Sequence, residues 1–293
     1  MQTLLGDVLK KTPVFKELWT ASKPRLSSLV LITTSVGLIM APGRMSLWRM
    51  WGVVFFTACV VGGANILNGC LEKDVDALML RTRNRPFPAG RLSLGQGWFW
   101  GVCLSLVSVC VLAWMANVLT ALLAVCASVL YVCVYTPMKR WSWTAVLVGA
   151  VPGAVPPLMG WTAVSGVLGE GGLALFALLF FWQLPHFFAI ALYLKEDYAR
   201  GGIQVLPVSY GETATRWAIV LSAAVLLPVG LLPVASGIAG VAYGVGSLGL
   251  GALFLGWTVS ALSWGSLQKS ARGIFLGSVA YLTVLMILLV LRL

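Results

Sequence analysis

The chain has 293 residues, 59% of them hydrophobic and only 10% charged, with a mean hydropathy of +0.94. Soluble domains carry about a quarter charged residues, so this composition cannot coat a water-facing globule and excludes both a soluble enzyme and a disordered chain. The formal charge of +11, from 20 Lys and Arg against nine Asp and Glu, finds no basic folded face for nucleic acid and asks for a membrane explanation.

The first 25 residues hold Lys10, Lys11, Lys16, Lys23 and Arg25, with no apolar core long enough for a signal peptide. Leu4, Leu5, Val8 and Leu9, then Phe15, Leu18 and Trp19, recur at helical spacing and predict a short amphipathic helix on the membrane surface. This interfacial segment, 1–25, precedes an intramembrane domain over 26–293. A span needs about 20 mostly apolar residues. Spans are predicted over 26–42, 50–71, 97–116, 118–136, 143–164, 172–194, 215–235, 238–260 and 273–291, with tight turns at Ala116-Asn117 and Ser236-Gly237.

Nine spans put the termini on opposite sides. With the N-terminus cytoplasmic, 17 of the 20 basic residues fall on that side, and only Arg44, Arg49 and Arg292 face the other. That asymmetry is the positive-inside pattern. The expected class is an all-α polytopic membrane protein of nine transmembrane helices, N-terminus in the cytoplasm. The six cysteines lie in apolar runs without a C-x-x-C pair, and Cys103/Cys110 and Cys126/Cys133 each share a helix face, which reads as helix packing.

Eight of the nine acids also fall on the cytoplasmic side, which the rule for basic residues does not explain. The first cluster ends the second span: Asn68, Glu72 and Asp76 stand at i, i+4 and i+8, so on a continuing helix their oxygens line one face. Two carboxylates and an amide are hard ligands suited to Mg²⁺ shared with a diphosphate. Arg81, Arg83 and Arg85 follow, with guanidinium forks that match phosphate oxygens. The plainer alternative is a solvated helix end with arginines serving topology. Asn68 and Glu72, close to apolar depth, favour a site. The second cluster, Tyr193-Leu-Lys195-Glu196-Asp197-Tyr198, ends the sixth span on the same side.

The pattern Asn68-x₃-Glu72-x₃-Asp76 followed by Arg81-Thr-Arg83-Asn-Arg85-Pro86 resembles the first signature of the UbiA-type intramembrane prenyltransferases. Lys23-Pro24-Arg25, Tyr135-Thr-Pro-Met-Lys139-Arg140, the Pro-Gly-Ala-Val-Pro-Pro run at 152–157, Trp182-Gln183-Leu-Pro-His186 and Glu196-Asp197-Tyr198-Ala-Arg-Gly-Gly resemble its haem-farnesylating branch. The last three spans match mainly by hydropathy. Two positions depart from the superfamily: Glu72 stands where Asp is frequent, and Tyr193 precedes Asp197 where two acids four apart are frequent.

The resemblance implies a helical bundle around a central cavity open to the cytoplasm and to lipid. It implies transfer of farnesyl from farnesyl diphosphate to a vinyl group of haem B, giving haem O. Asn68, Glu72, Asp76 and Asp197 would hold Mg²⁺, and Arg81, Arg85, Lys139 and Arg140 would bind the diphosphate. Tyr135 would either orient the diphosphate or face the allylic cation. His186, the only histidine, would contact haem; the plainer reading is a polar link between helices. The partners implied are both substrates, membrane lipid, and a downstream haem A synthase or oxidase assembly proteins. The implied location is a prokaryotic plasma (inner) membrane, with the site facing the cytoplasm. The competing functions are prenylation of a quinone or chlorophyll precursor, and non-catalytic haem handling or transport. Transport would place carboxylates at mid-membrane depth on several spans, whereas these stay near one face.

Overall fold

The computed structural model describes residues 13–263 and 266–291, and among them every regular element is helical. In chain order these are α1 (Val14–Ala21), α2 (Pro24–Met40), α3 (Leu47–Leu71), α4 (Lys73–Leu78), α5 (Leu94–Met115) and α6 (Val118–Val129). A π-helical turn over Leu130–Tyr135 runs into α7 (Thr136–Met138), followed by α8 (Ala145–Ser165), α9 (Glu170–Tyr193), α10 (Lys195–Arg200) and α11 (Leu206–Ser209). The chain closes with α12 (Gly211–Val229), α13 (Leu232–Ala235), α14 (Val241–Ser263) and α15 (Leu267–Val290).

Eight helices among the described residues are long and apolar enough to cross a membrane. They match the second to ninth predicted spans to within a few residues, the last beginning at Leu267 rather than 273. The first predicted span is α2, whose apolar stretch, Ser27–Met40, is shorter than a full crossing. Outward-facing Leu47, Trp51, Trp114 and Val241 are strongly exposed, as a chain solvated by lipid requires. Trp48 and Trp141 are exposed near span ends as expected of interfacial anchors, but Trp143 turns inward against Tyr210 at 6.2 Å between ring centroids. Of the predicted surface helix, Leu4, Leu5, Val8 and Leu9 lie outside the described residues. In α1, Phe15 and Trp19 are exposed, while buried Glu17 receives Arg91 Nε at 3.0 Å.

The prolines of the fifth span leave α8 continuous through Pro152, Pro156 and Pro157. Its glycines serve close approach. A Cβ on Gly37 of α2 would lie 2.0 Å from the Pro157 carbonyl oxygen, and one on Gly160 would lie 2.1 Å from the Thr34 carbonyl oxygen. The two backbones therefore cross with nothing between them, a packing device available to small residues. Gly37→Leu is expected to force the crossing apart and cost about 1–3 kcal/mol or more. Thermal unfolding in detergent checks this; an unchanged midpoint would mean the helices do not cross so closely.

Asn117 sets the turn between α5 and α6. Its Oδ1 accepts the Thr120 amide at 2.9 Å, capping the new helix, and its Nδ2 donates to the Thr162 carbonyl at 2.7 Å. The C-terminal ends of α3 and α9 are built alike. Each long helix stops at one residue near the bridge region, Glu72 (φ −93°, ψ 5°) and Leu194 (φ −107°, ψ 22°), then resumes as a six-residue helix. These breaks carry the two acidic clusters.

Candidate active site

The helix predicted to continue through Asn68, Glu72 and Asp76 bends at Glu72, yet the register survives. The Glu72 amide bonds to the Asn68 carbonyl at 2.9 Å and the Asp76 amide to the Glu72 carbonyl at 2.7 Å, so the i, i+4, i+8 stripe is intact. All three side chains are buried. Burying hard oxygens at this depth requires compensation, and each meets a basic nitrogen. Lys23 Nζ donates to Asn68 Oδ1 at 2.8 Å, Lys139 pairs with Glu72, and Arg85 Nη1 donates to both Asp76 oxygens at 3.1 and 2.9 Å.

A closed network frames this cluster. Tyr131 Oη donates to Asn65 Oδ1 at 3.2 Å, and Asn65 Nδ2 donates to the Ser22 carbonyl at 3.0 Å, pinning the turn that delivers Lys23. Asn68 Nδ2 donates to Thr136 Oγ1 at 3.0 Å, whose hydroxyl in turn donates to the Tyr131 carbonyl at 2.8 Å. The π-helical turn follows from Pro137. A proline inside a helix lacks the amide and crowds the carbonyl four residues back, and the wider turn relieves that conflict. It stacks Tyr131 on Tyr135 at 5.6 Å and sets Lys139 Nζ 4.6 Å over the Tyr135 ring.

Lys23 is the surprise. It is the one non-glycine with positive φ among the described residues, at φ 56°, and it immediately precedes Pro24. Residues before proline avoid the right-handed helical region, and left-handed geometry costs about 1–2 kcal/mol here. Burial, together with Arg85 and Lys139, pulls its amine down to about 7 against the carboxylates of Glu72 and Asp76. Burial alone would raise the Glu72 carboxyl, but Lys139 and Lys23 outweigh it and hold it below its usual range. Lys23 counts toward the positive-inside pattern and the Lys23-Pro24-Arg25 resemblance without being a candidate site residue, and Tyr131 is not among the candidates at all. The pre-proline position of Lys23, and the four-residue spacing of Tyr131 from Tyr135, are the signals that point to them.

Asp197 stands apart from this stripe in its contacts. Its Oδ1 accepts the Leu80 amide at 2.8 Å and Arg200 Nη2 at 2.9 Å, while Oδ2 takes the Arg81 amide at 3.4 Å. It therefore clamps the loop that carries the arginines. Burial opposes its charge, but Arg200 and the two loop amides hold the carboxyl below the usual range. Arg81 and Arg140 are exposed beside the cluster, Arg140 within 3.5 Å of the Leu71 carbonyl. Among the described residues, no three His, Cys, Asp or Glu side chains converge at metal-binding spacing. The hard-oxygen set at the site is two carboxylates and one amide, which suits Mg²⁺, an ion held by one or two carboxylates and completed by substrate phosphates.

Beneath the cluster lies a mainly apolar cavity of about 330 Å³. Asn65, Tyr131 and Tyr135 line it beside the cluster; Thr33, Thr57 and Met159 line it further along the helices, and His186 borders it from α9. His186 lies seven residues before the end of α9 at Tyr193, about 10 Å along the helix axis at 1.5 Å per residue. Gly149 and Gly153 keep α8 thin here, where a Cβ would strike the Tyr135 ring and the Gln183 amide.

Buried acids paired with cations beside an apolar cavity among the membrane-length helices suit an intramembrane prenyltransferase, whose substrate has an ionised head group and a hydrocarbon tail. The model of the UbiA prenyltransferase family matches residues 30–283, and the chain belongs to that family. It is 49% identical over 274 residues to the protoheme IX farnesyltransferase of Anaeromyxobacter sp. (strain Fw109-5), covering 94% of this chain and 92% of the relative. It is 44% identical to that of Myxococcus xanthus (strain DK1622), covering 92% of each. In fold it is similar to a digeranylgeranylglyceryl phosphate synthase structure, with TM-score 0.79, 15% identity, and 95% and 98% of the two chains covered. It is also similar to a UbiA homologue from Archaeoglobus fulgidus bound to DMAPP and Mg²⁺, with TM-score 0.67, 16% identity, and 94% and 100% covered.

Proposed function

We infer that this protein transfers a farnesyl group from farnesyl diphosphate to a vinyl carbon of haem B, producing haem O. The carrying observation is the stripe of Asn68, Glu72 and Asp76, each oxygen group met by a basic nitrogen, beside an apolar cavity lined by Asn65, Tyr131 and Tyr135 and by the chain's single histidine. The relatives' shared activity supports the choice of farnesyl and haem.

The diphosphate sits at the charged mouth with the isoprenoid tail in the cavity. Asn68, Glu72 and Asp76 are the proposed Mg²⁺ ligands, with Asp197 contributing from the α10 side. Bound there, Mg²⁺ supplies positive charge that stabilises the leaving diphosphate. Lys23, Lys139 and Arg85, now engaged with those same oxygens, turn their N–H groups to the diphosphate, with Arg81 and Arg140 at the rim. When the C–O bond breaks, the diphosphate leaves with the electron pair and an allylic cation remains. The Tyr131 and Tyr135 rings and the apolar walls hold that cation away from water. The haem vinyl π electrons attack it. Water then adds to the new cation and loses a proton, leaving the hydroxyl. No protein nucleophile is needed. His186 contacts the haem. We further propose nine spans with a cytoplasmic N-terminus, in a prokaryotic inner membrane, and hand-over of the product to a haem A synthase or oxidase assembly protein.

Chelation with EDTA is expected to stop turnover and added Mg²⁺ to restore it, while haem binding measured by absorbance stays unchanged. Turnover that survives exhaustive chelation would refute the metal-assisted step. Offered haem B and 4-hydroxybenzoate together, the protein is expected to prenylate haem alone; prenylation of the benzoate would favour the quinone-precursor reading.

A further inference from the structure

The hydrogen bonds behind His186 fix which of its nitrogens carries the proton. His186 Nδ1 lies 2.8 Å from Ser278 Oγ on α15. The serine hydroxyl has a single proton, and it is donated to the Phe275 carbonyl at 2.7 Å. Ser278 Oγ must then accept from Nδ1–H. A neutral imidazole has one N–H, so Nε2 is left with an unshared lone pair.

The same contacts fix the ring's direction. Trp182 covers it at 4.9 Å between centroids with planes 30° apart, and Phe275 at 4.6 Å with planes 39° apart. Trp182 Nε1 donates to the Ser278 carbonyl at 2.6 Å, tying the stacking ring to the serine's own backbone. Ser278 is fully buried. With Trp182 and Phe275 tilted over the imidazole, Phe187 packed edge-on at 5.6 Å and the Nδ1 edge taken, the edge bearing Nε2 is left to the cavity that His186 and Phe187 both border. Axial coordination of a porphyrin iron uses this in-plane direction, and metal-bound histidines commonly donate their other N–H to a fixed acceptor.

We propose that Ser278 is a positioning residue that holds His186 as the Nδ1–H tautomer, so that Nε2 ligates the iron of the haem substrate and sets the macrocycle below the diphosphate site. This rests on the reading of haem as acceptor. A polar link between α9 and α15 would need neither a particular tautomer nor a free edge facing the cavity. Iron held about 10 Å along the axis of α9 from its C-terminal end brings the edge of the macrocycle, where the vinyl groups are, up toward the farnesyl carbon.

The test is binding of haem B and of metal-free protoporphyrin IX, which has no iron to ligate, to the full-length protein in lipid nanodiscs. Wild type is expected to give the absorbance and resonance Raman signature of nitrogen-ligated haem, and His186→Ala to lose it. Ser278→Ala is expected to weaken haem B binding about 10-fold or more, with a mixture of ligation states, and to leave protoporphyrin binding unchanged. Ser278→Cys, with a weaker acceptor of similar size, should shift in the same direction by less and carries the test if the alanine variant does not fold. An unaltered haem signature and affinity in both variants would overturn the proposal, as would equal losses for the two porphyrins, which mark a structural role. Wild type that bound porphyrin without nitrogen ligation would overturn it and leave the acceptor reading standing; wild type that bound neither porphyrin would sink both.

Discussion

Asp76→Ala is expected to lower farnesyl transfer by about a thousand-fold while haem B still binds with near wild-type affinity. The carboxylate is buried to 1% exposure and receives both of its hydrogen bonds from one Arg85 nitrogen. Its loss removes a proposed metal ligand and leaves a partly buried guanidinium without a counter-charge. Orphaning one partner of a buried ion pair costs about 3–5 kcal/mol, and Arg85 keeps 28% exposure, so the low end applies. Stability and catalysis separate in the double variant. Asp76→Ala with Arg85→Leu should recover much of the lost melting temperature without recovering turnover. Parallel recovery of both would make Asp76 a structural residue; equal loss of haem affinity in the single variant would remove the diphosphate role.

Asp197→Ala is expected to lower kcat about a hundred-fold and to raise KM for farnesyl diphosphate, with haem binding kept. The carboxylate holds the backbone amides of Leu80 and Arg81, so amide exchange at those two positions should accelerate in the variant. Asp197→Asn keeps one acceptor oxygen and should protect the loop in part while losing the charge. If the asparagine variant turns over normally, Asp197 acts only through the loop. If the alanine variant turns over normally with both amides still protected, neither role stands.

Most of the architecture was legible because its signals are local. Long apolar runs locate eight helices of crossing length, most ends to within a few residues, and lipid solvation makes that pattern strong. The stripe Asn68, Glu72, Asp76 was legible because i, i+4 spacing survives the bend at Glu72. Residues recruited by contacts distant in sequence were not. Lys23 reaches the stripe through a left-handed pre-proline turn pinned by Asn65, 43 positions from Ser22. Tyr131 depends on a π-helical turn whose cause, Pro137, lies further along the chain. Ser278 sits on a span recognisable only by hydropathy, and its link to His186 spans 92 positions. Asp197 stands out in the sequence through its acidic cluster, but its grip on the Leu80–Arg81 loop, 116 to 117 positions away, needed the fold.

The central claim is the reaction itself. Purified protein in lipid vesicles, given haem B, farnesyl diphosphate and Mg²⁺, is expected to convert haem B to a species heavier by one farnesyl group and one hydroxyl, read by mass spectrometry. Release of diphosphate with the haem mass unchanged, from protein that binds both substrates, would contradict it.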